Sequence, residues 1–301
     1  MPAPLTLIGA PSSIGIRPYD DGRPRRLDQA PERFRRLRLA ARLAAEDAGD
    51  VTPPPYRDFE RPPGRCRNEP ELVEYLQALA ERIEPVIGQG RFPVVLGGDC
   101  SVVLGGLLGA ARGTGGPVGL AYVDAHADFA TPEESRTGSA ASMCLAMAVG
   151  RGDTPLARLA PDGPLVDPSR VALLGRRSED SWYGHAELER LGALNIQDSE
   201  LRRLGWEAAA RTAIDRLIQP DSRGFWIHLD ADVINPLDIT AVDSPEPGGP
   251  RLNELTELLR PLVHHPAALG LELTIYDPGL DPDQSNAARL ADLLVRTLER
   301  S

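Results

Sequence analysis

Short apolar runs rich in Val, Ile and Leu recur along the chain and alternate with longer stretches of helical periodicity. The runs are Leu5–Ile8, Phe92–Leu96, Val118–Val123, Val171–Leu174, Phe225–Leu229 and Leu269–Ile275. The clearest helical stretch is Glu69–Ile87, one face of which carries Leu72, Tyr75, Leu76 and Leu79. Apolar strands that alternate with helices are typical of a parallel sheet covered on both faces. The pattern therefore predicts an α/β fold with a central parallel sheet.

Length and composition are those of a globular protein. The chain has 301 residues, of which 42% are hydrophobic and 26% charged, and this balance excludes a disordered or fibrous protein. Thr52–Pro63 is rich in proline and predicts a surface loop, and no internal repeat divides the sequence. We therefore expect a single domain over residues 1–301.

Targeting signals are not evident in the sequence. The apolar runs fall short of the roughly 20 residues that span a bilayer. The opening MPAPLTLIGAPSS lacks the basic and apolar regions of a secretion signal. A cytoplasmic protein is the expectation.

The charge balance restricts the class of partner. There are 33 basic and 44 acidic residues, a formal net charge of −11, and all the basic residues are Arg. An acidic surface repels phosphate backbones, so we expect neither nucleic acid nor a membrane as a partner. The absence of Lys excludes Schiff-base chemistry and lysine-dependent phosphate loops. A small-molecule substrate is the remaining expectation.

Polar residues follow three of the apolar runs at the point where a parallel sheet binds ligands. FPVVL continues into GGDCS, VGLAYV into DAHAD, and FWIHL into DAD. Extended backbone would place Asp124, His126 and Asp128 on one side, and likewise Asp230 and Asp232. Each acid could instead cap the helix after its strand. Four convergent carboxylates with an imidazole favour a site for divalent ions such as Mn²⁺.

These segments resemble the arginase, agmatinase and formimidoylglutamase family, the ureohydrolases, over nearly the whole chain. IGAPSSIG resembles the family's first strand and loop, GGDCS its GGDHS motif, and DAHAD its DAHxD motif. IHLDADVINP resembles its SxDxDxxDP motif, and TAVDSPEPGG fits the Gly/Pro-rich loop that follows.

The resemblance implies a three-layer α/β fold with a central parallel sheet and a binuclear Mn²⁺ centre. A metal-activated hydroxide would attack the carbon of a guanidinium or formimidoyl group. Asp124 and Asp230 would bridge the two ions, and the remaining ligands would be Cys100 and Asp128 for one ion and His126 and Asp232 for the other. A homo-oligomer, a trimer or hexamer, is expected on the same ground.

Cys100 is the first departure from the family, because it stands where the motif has His. A thiolate would raise the ligand charge from four negatives to five, against the four positives of two divalent ions. Its softness would move the preference from Mn²⁺ toward Zn²⁺, Fe²⁺ or Co²⁺. We expect Cys100 to be a ligand; the alternative is a buried thiol beside a single ion.

Other departures concern the substrate. Ala130 and Ala141 replace an Asn and a His of the family, and Ile275 aligns with the Glu that grips a guanidinium. Glu272 is the nearest carboxylate, but an odd separation on a strand puts it on the opposite face unless a bulge intervenes. His228 replaces a Ser and could orient a carboxylate or belong to the core.

The candidate catalytic and substrate-binding residues follow from this comparison. Those predicted for catalysis are Asp128, Glu179, Glu272 and His185, the last as a substitute proton shuttle. Those predicted to bind substrate are Thr137, Ser139, Glu179 and Asp180.

The predicted function is cleavage of a carbon–nitrogen bond in a guanidino or amidine-type small molecule. The substrate is expected to be modified or less basic than arginine, such as an N-hydroxyguanidino or formimidoyl compound. One alternative is a metal-binding member of weak or no activity with a regulatory or assembly role. Another is a hydrolase of an amide bond.

Overall fold

Parallel strands form the centre of the molecule. The computed structural model describes residues 3–57, 61–177 and 184–299. Within them the strands are β1 (Leu5–Gly9), β2 (Glu46–Asp50), β3 (Phe92–Leu96), β4 (Gly119–Val123), β5 (Val171–Leu174), β6 (Leu194–Ile196), β7 (Phe225–Asp230) and β8 (Ala268–Thr274). They form one eight-stranded sheet in the order β2-β1-β3-β8-β7-β4-β5-β6, and neighbouring strands run parallel. The predicted α/β fold with a parallel sheet is confirmed.

Helices connect the strands and cover the sheet. Those in the described ranges are α1 (Ala30–Arg36), α2 (Leu39–Arg42), α3 (Glu69–Gly88), α4 (Val102–Thr114), α5 (Cys144–Ala148), α6 (His185–Arg190), α7 (Asp198–Leu204), α8 (Trp206–Leu217), α9 (Leu252–Val263) and α10 (Ser285–Leu298). None of these is both long and apolar enough to cross a membrane.

The two faces of the sheet carry different helices. α4 packs on the face of β7 that bears Trp226, since a Cβ at Gly106 would lie 2.6 Å from the indole ring. α8 packs on the other face, where Leu217 meets Gly119, the register partner of Phe225. Successive residues of a strand point to opposite faces, so the sheet is enclosed between two helical layers.

All six predicted strands are present, and two further strands were not predicted. β2 has the sequence EDAGD and is mostly exposed at the edge of the sheet, so it lacks the apolar signal of a buried strand. β6 has only three residues, which is too short for a periodic pattern. The last strand ends at Thr274, one residue before the predicted end.

The predicted helix over Glu69–Ile87 is confirmed as α3, which extends one residue further to Gly88. Its apolar face is buried at Leu72, Leu76 and Leu79. The helix packs principally against α4. α3 and α4 therefore form one pair, and α4 begins at Val102, directly after the GGDCS loop.

The close packing of α4 on β7 gives a test of the fold. We expect Gly106→Ala to lower the free energy of unfolding by roughly 1–2 kcal/mol, because the added methyl group overpacks the rigid, fully buried Trp226 ring. Urea unfolding at a fixed metal concentration measures the change. Gly88→Ala, in open space at the end of α3, is the matched control and should leave stability unchanged or raise it slightly. Equal losses in the two variants would contradict this packing.

Candidate metal centre

Three strands end at one edge of the sheet and place polar side chains there. Cys100 follows β3, Asp124 follows β4, and Asp230 is the last residue of β7. β7 and β4 are neighbours, and β8 separates β7 from β3. Ligands of parallel sheets bind at this carboxyl edge. The three motifs therefore meet where the strand pattern predicts.

The loop that carries Cys100 depends on a glycine and a buried carboxylate. Gly98 has a φ of +94°, and a Cβ there would lie 2.9 Å from the carbonyl oxygen of Ala10. Asp99 is fully buried and accepts a hydrogen bond from the backbone N–H of Gly15 at 3.0 Å. These contacts join the loop after β1 to the GGDCS loop and hold Cys100 at the sheet edge.

Asp124, His126 and Asp232 form a first buried cluster. His126 Nδ1 lies 3.0 Å from Asp232 Oδ2 and 3.5 Å from Asp124 Oδ1. One ligand atom from each of the three residues lies within 4.8 Å of the others. Asp124 Oδ2 and Asp232 Oδ1 are buried and have no hydrogen-bond partner among the described residues. Such buried acceptors need a cation or a proton donor.

Cys100, Asp230 and His228 form a second buried cluster. Cys100 Sγ donates to Asp230 Oδ2 at 2.9 Å, and the Asp232 backbone N–H donates to Asp230 Oδ1 at 2.7 Å. A ring nitrogen of His228 lies within 4.8 Å of the sulfur and of a carboxylate oxygen of Asp230. From the sequence, His228 could either orient a carboxylate or belong to the core. The structure adds that it lies next to two predicted ligands, Cys100 and Asp230.

Asp128 lines the cavity, and a hydrogen bond holds one of its carboxylate oxygens. Its backbone adopts a left-handed conformation with φ 45°. Its Oδ2 accepts a hydrogen bond from the Tyr122 hydroxyl at 2.7 Å, and that hydroxyl also lies 3.1 Å from Cys144 Sγ. Asp128 belongs to neither of the two clusters, but it lines the same cavity as Cys100 and Asp230.

Burial and mutual repulsion raise the pKa values of the carboxyl groups. Burial is the main cause for Asp124, Asp128 and Asp230. The charge of Asp232 adds to the effect at Asp124 and Asp230, and the charge of Asp124 adds to it at Asp128. Close carboxylates in a low-dielectric site cannot all ionise without compensating charge.

Compensating positive charge from the chain itself is small. Burial opposes protonation of His126, but the charges of Asp232 and Asp124 outweigh it and raise the pKa of the imidazole well above its usual value. Burial, followed by the charge of Asp230, raises the pKa of the Cys100 thiol. The carboxylates, the imidazole and the acceptors without partners together fit divalent cations, which would replace protons in the two clusters.

A cavity of about 180 Å³ opens over these groups. It is lined by Ile16, Arg17, Arg25, Cys100, His126, Asp128, Thr137, Ser139, Ala141, Ser142, Asp230, Asp232, Asp243, Ser244 and Ile275. The predicted substrate-binding residues Thr137 and Ser139 thus face the same space as the predicted metal ligands. Its size suits a small molecule.

Arginine residues in this lining were not predicted as site residues. The Arg17 backbone N–H donates to Ser139 Oγ at 3.1 Å, so its loop is fastened to the substrate wall. Arg25 forms an ion pair with Asp243 at 2.5 Å, with both side chains largely buried. Asp243 belongs to the Gly/Pro-rich loop identified in the sequence, whereas Arg25 lies near the start of the chain. Their pairing across more than two hundred residues was not visible there.

Ile275 and Glu272 occupy different environments. Glu272 is fully buried, with Oε1 2.6 Å from His228 Nδ1, and is not part of the cavity lining. Ile275 lines the cavity and has a φ of +64°, a conformation that costs a β-branched residue roughly 1–2 kcal/mol. Strand β8 ends at Thr274, so the alternation of side chains between the two faces of the sheet does not apply to Ile275. Glu272 nevertheless lies beneath the site, where it contacts His228 instead of the cavity.

Besides Glu272, three further residues predicted for catalysis or substrate binding are not placed at the cavity. Glu179 and Asp180 lie outside the described residues. His185 is the first residue of α6 and is absent from the cavity lining in the described part of the chain. A role for His185 as a proton shuttle therefore stays a prediction without a contact to the site.

Arg177 fixes the loop that carries Asp232, and sequence reasoning did not single it out. Its guanidinium donates to the carbonyl oxygens of Asp232 at 2.9 Å, Val233 at 3.0 Å and Glu246 at 3.1 Å. Burial lowers its pKa. Because carbonyl oxygens take up these donors, Arg177 positions the loop and leaves the carboxylates of the clusters unpaired. An Arg in a loop gives no sequence signal for such a contact.

Comparisons with known proteins agree with this geometry. The arginase family model matches residues 3–299. The arginase of Bacillus caldovelox is 30% identical over 302 residues, which cover 98% of this chain and 97% of the relative. The solved native structure of arginase from that organism has a TM-score of 0.87 at 27% identity, with 99% of each chain covered. The structure of Trypanosoma cruzi formiminoglutamase with Mn²⁺ shares the fold, with a TM-score of 0.74 at 18% identity, covering 98% of this chain and 92% of that one.

The unpaired carboxylate oxygens predict that metal stabilises the folded chain. We expect chelation of bound metal to lower the thermal unfolding midpoint by about 5 °C, because repulsion within the clusters returns. The difference should shrink in Asp124→Asn, which removes charge from the first cluster. Asp215→Asn, exposed on α8, is the matched control and should keep the full difference. Equal midpoints with and without metal in the unaltered protein would show that the clusters hold no ion.

Proposed function

We propose that this chain, which belongs to the arginase family, is a metal-dependent hydrolase that cleaves a carbon–nitrogen bond of a small guanidino or amidine-type molecule. One observation carries the proposal. Cys100, His126, Asp230 and Asp232 meet at the lining of a cavity of about 180 Å³, with Asp124 buried behind them. Burying several carboxylates together destabilises the folded chain, and a bound cation would offset that cost.

The donor groups of both clusters would hold the cations. Divalent ions bound there, expected to be two and to include Mn²⁺ or a softer ion, would supply the Lewis acidity that activates water for attack on an amidine carbon. Asp128 is the candidate acid–base group, because it lines the cavity while Tyr122 holds its Oδ2. It would take a proton from the attacking water and deliver one to the departing nitrogen.

The cavity wall supports a substrate with an anionic end. Thr137 and Ser139 offer hydroxyl groups, and Arg17 lies in the same lining. Hydroxyl and guanidinium donors bind a carboxylate. Ile275 and Ala141 supply no charge for a guanidinium at their positions. A substrate less basic than free arginine, such as a formimidoyl or N-hydroxyguanidino acid, is therefore the proposed class.

Product analysis tests the proposed reaction. The purified protein, loaded separately with Mn²⁺, Co²⁺ and Zn²⁺, would be incubated with guanidino, N-hydroxyguanidino, formimidoyl and amide compounds that carry a carboxylate. We expect urea, a urea derivative or formamide from at least one amidine-type compound. We also expect Asp124→Asn to lower kcat/KM by at least about 100-fold, because a metal ligand is lost.

The outcomes of this panel separate the alternatives. Release of ammonia from an amide alone would favour an amide hydrolase. A protein that retains its metal but releases no product from any compound would contradict hydrolysis and favour a regulatory or assembly role. Asp215→Asn serves again as the variant that should leave turnover unchanged.

Ile275 offers a test of substrate class. We expect Ile275→Glu to raise kcat/KM for a guanidinium substrate relative to a formimidoyl one by about 10-fold, because a carboxylate at the cavity forms a charge-assisted pair with the cation. Ile275→Gln has nearly the same shape without the charge and is the matched control. A ratio that moves equally in both variants would exclude the electrostatic explanation.

A further inference from the structure

We propose that Cys100, His228 and Asp230 form a mixed sulfur, nitrogen and oxygen site selective for a borderline divalent ion such as Zn²⁺ or Co²⁺. In this site His228 supplies the imidazole that the GGDCS loop lacks at position 100. The inference rests on the metal-binding part of the proposed function and is independent of which bond is hydrolysed.

The three side chains are already close enough to share an ion. Cys100 Sγ, a ring nitrogen of His228 and an oxygen of Asp230 all lie within 4.8 Å of one another, and all three residues are buried. Ligands at about 2.0–2.3 Å from a tetrahedral ion lie roughly 3–4 Å apart. Small side-chain shifts would therefore bring these atoms onto one ion.

One ring nitrogen of His228 is available as a ligand. Nδ1 is engaged by Glu272 Oε1 at 2.6 Å, whereas Nε2 is buried without a hydrogen-bond partner among the described residues. A buried imidazole nitrogen without a partner is costly unless a ligand completes it. A cation at Nε2 would select the tautomer in which Nδ1 donates to Glu272, because only that tautomer leaves a lone pair on Nε2.

The sheet register holds the imidazole in this orientation. Tyr122, His228 and Glu272 are register partners on the adjacent strands β4, β7 and β8. The Tyr122 ring stacks on the imidazole with centroids 4.2 Å apart and planes at 17°. A carboxylate behind a ligating histidine fixes its tautomer and raises its basicity. The arrangement is that of a metal ligand with its supporting partner.

The donor atoms determine which ion is preferred. A thiolate and an imidazole favour Zn²⁺, Co²⁺ or Fe²⁺ over Mn²⁺, whereas the cluster of Asp124, His126 and Asp232 is richer in oxygen. The two clusters therefore differ in softness. We infer that the second cluster takes a borderline ion even where the first holds a harder one.

Spectroscopy of the cobalt-loaded protein tests the sulfur ligand directly. We expect a thiolate-to-cobalt charge-transfer band in the near ultraviolet, and X-ray absorption at the cobalt edge should show a sulfur neighbour. Cys100→Ser should abolish both signals. Cys144→Ala is the matched control, because its thiol lies beside Tyr122 and Asp128 but outside the cluster. A signal that survives Cys100→Ser and disappears in Cys144→Ala would overturn the assignment.

Metal titration tests the imidazole and its partner. Glu272→Gln should weaken the binding of one equivalent of Co²⁺ by about 10–100-fold, and His228→Gln by at least as much. His265→Gln, in the loop before β8, is the control and should leave the affinity for Co²⁺ unchanged at both clusters. Unchanged binding in a folded His228→Gln variant would overturn the proposal. The X-ray absorption of the unaltered protein keeps the test valid if this variant fails to fold.

A ligand exchange gives a positive readout. The double variant Cys100→His, His228→Ser should lose the charge-transfer band and shift competition between Zn²⁺ and Mn²⁺ toward Mn²⁺ by about 10-fold or more. A protein that binds no ion at either cluster would refute the proposed function as well. Binding of two ions without a sulfur signal would refute this inference alone.

Discussion

Mutual repulsion between buried carboxylates is the constraint on which the site depends. Asp124, Asp128, Asp230 and Asp232 lie at one edge of a parallel sheet and are almost entirely removed from water. Arg177 donates to backbone carbonyl oxygens near the acids and thus positions the loop without pairing them. Since the clusters contain little positive charge of their own, cations bound there would complete both the fold and the proposed reaction site.

The carboxyl edge of the sheet was the part that sequence predicted best. Apolar runs mark buried strands, and alternation after each run places Asp124 with His126, and Asp230 with Asp232. The structure brings these residues together because a parallel sheet aligns the ends of β3, β4 and β7 at one edge. Local pattern and the geometry of the sheet act on the same residues here, so one sequence was enough to locate these four candidate ligands.

Long-range contacts and exceptions to regular backbone could not be predicted. The Arg25–Asp243 ion pair joins residues that no local pattern connects. Alternation suggested a single strand through Ile275, yet the chain leaves the sheet at Thr274 and Ile275 adopts a left-handed backbone. β2 was missed because an exposed edge strand needs no apolar run. These failures share one cause, since tertiary contacts outweigh the local preferences that sequence patterns report.

Positions 100 and 228 acquire their meaning only as a pair. Taken alone, Cys100 is a loss of an imidazole from the motif, and His228 is a polar residue in the middle of a buried strand. Supported by Glu272, they would supply one sulfur and one nitrogen donor beside Asp230, and both residues are buried. Burying the Glu272–His228 pair costs free energy if the second ring nitrogen of His228 has no partner, and a metal ion would provide one. A shift from a hard toward a softer ligand set accounts for all three residues at once, which no separate explanation of each residue achieves.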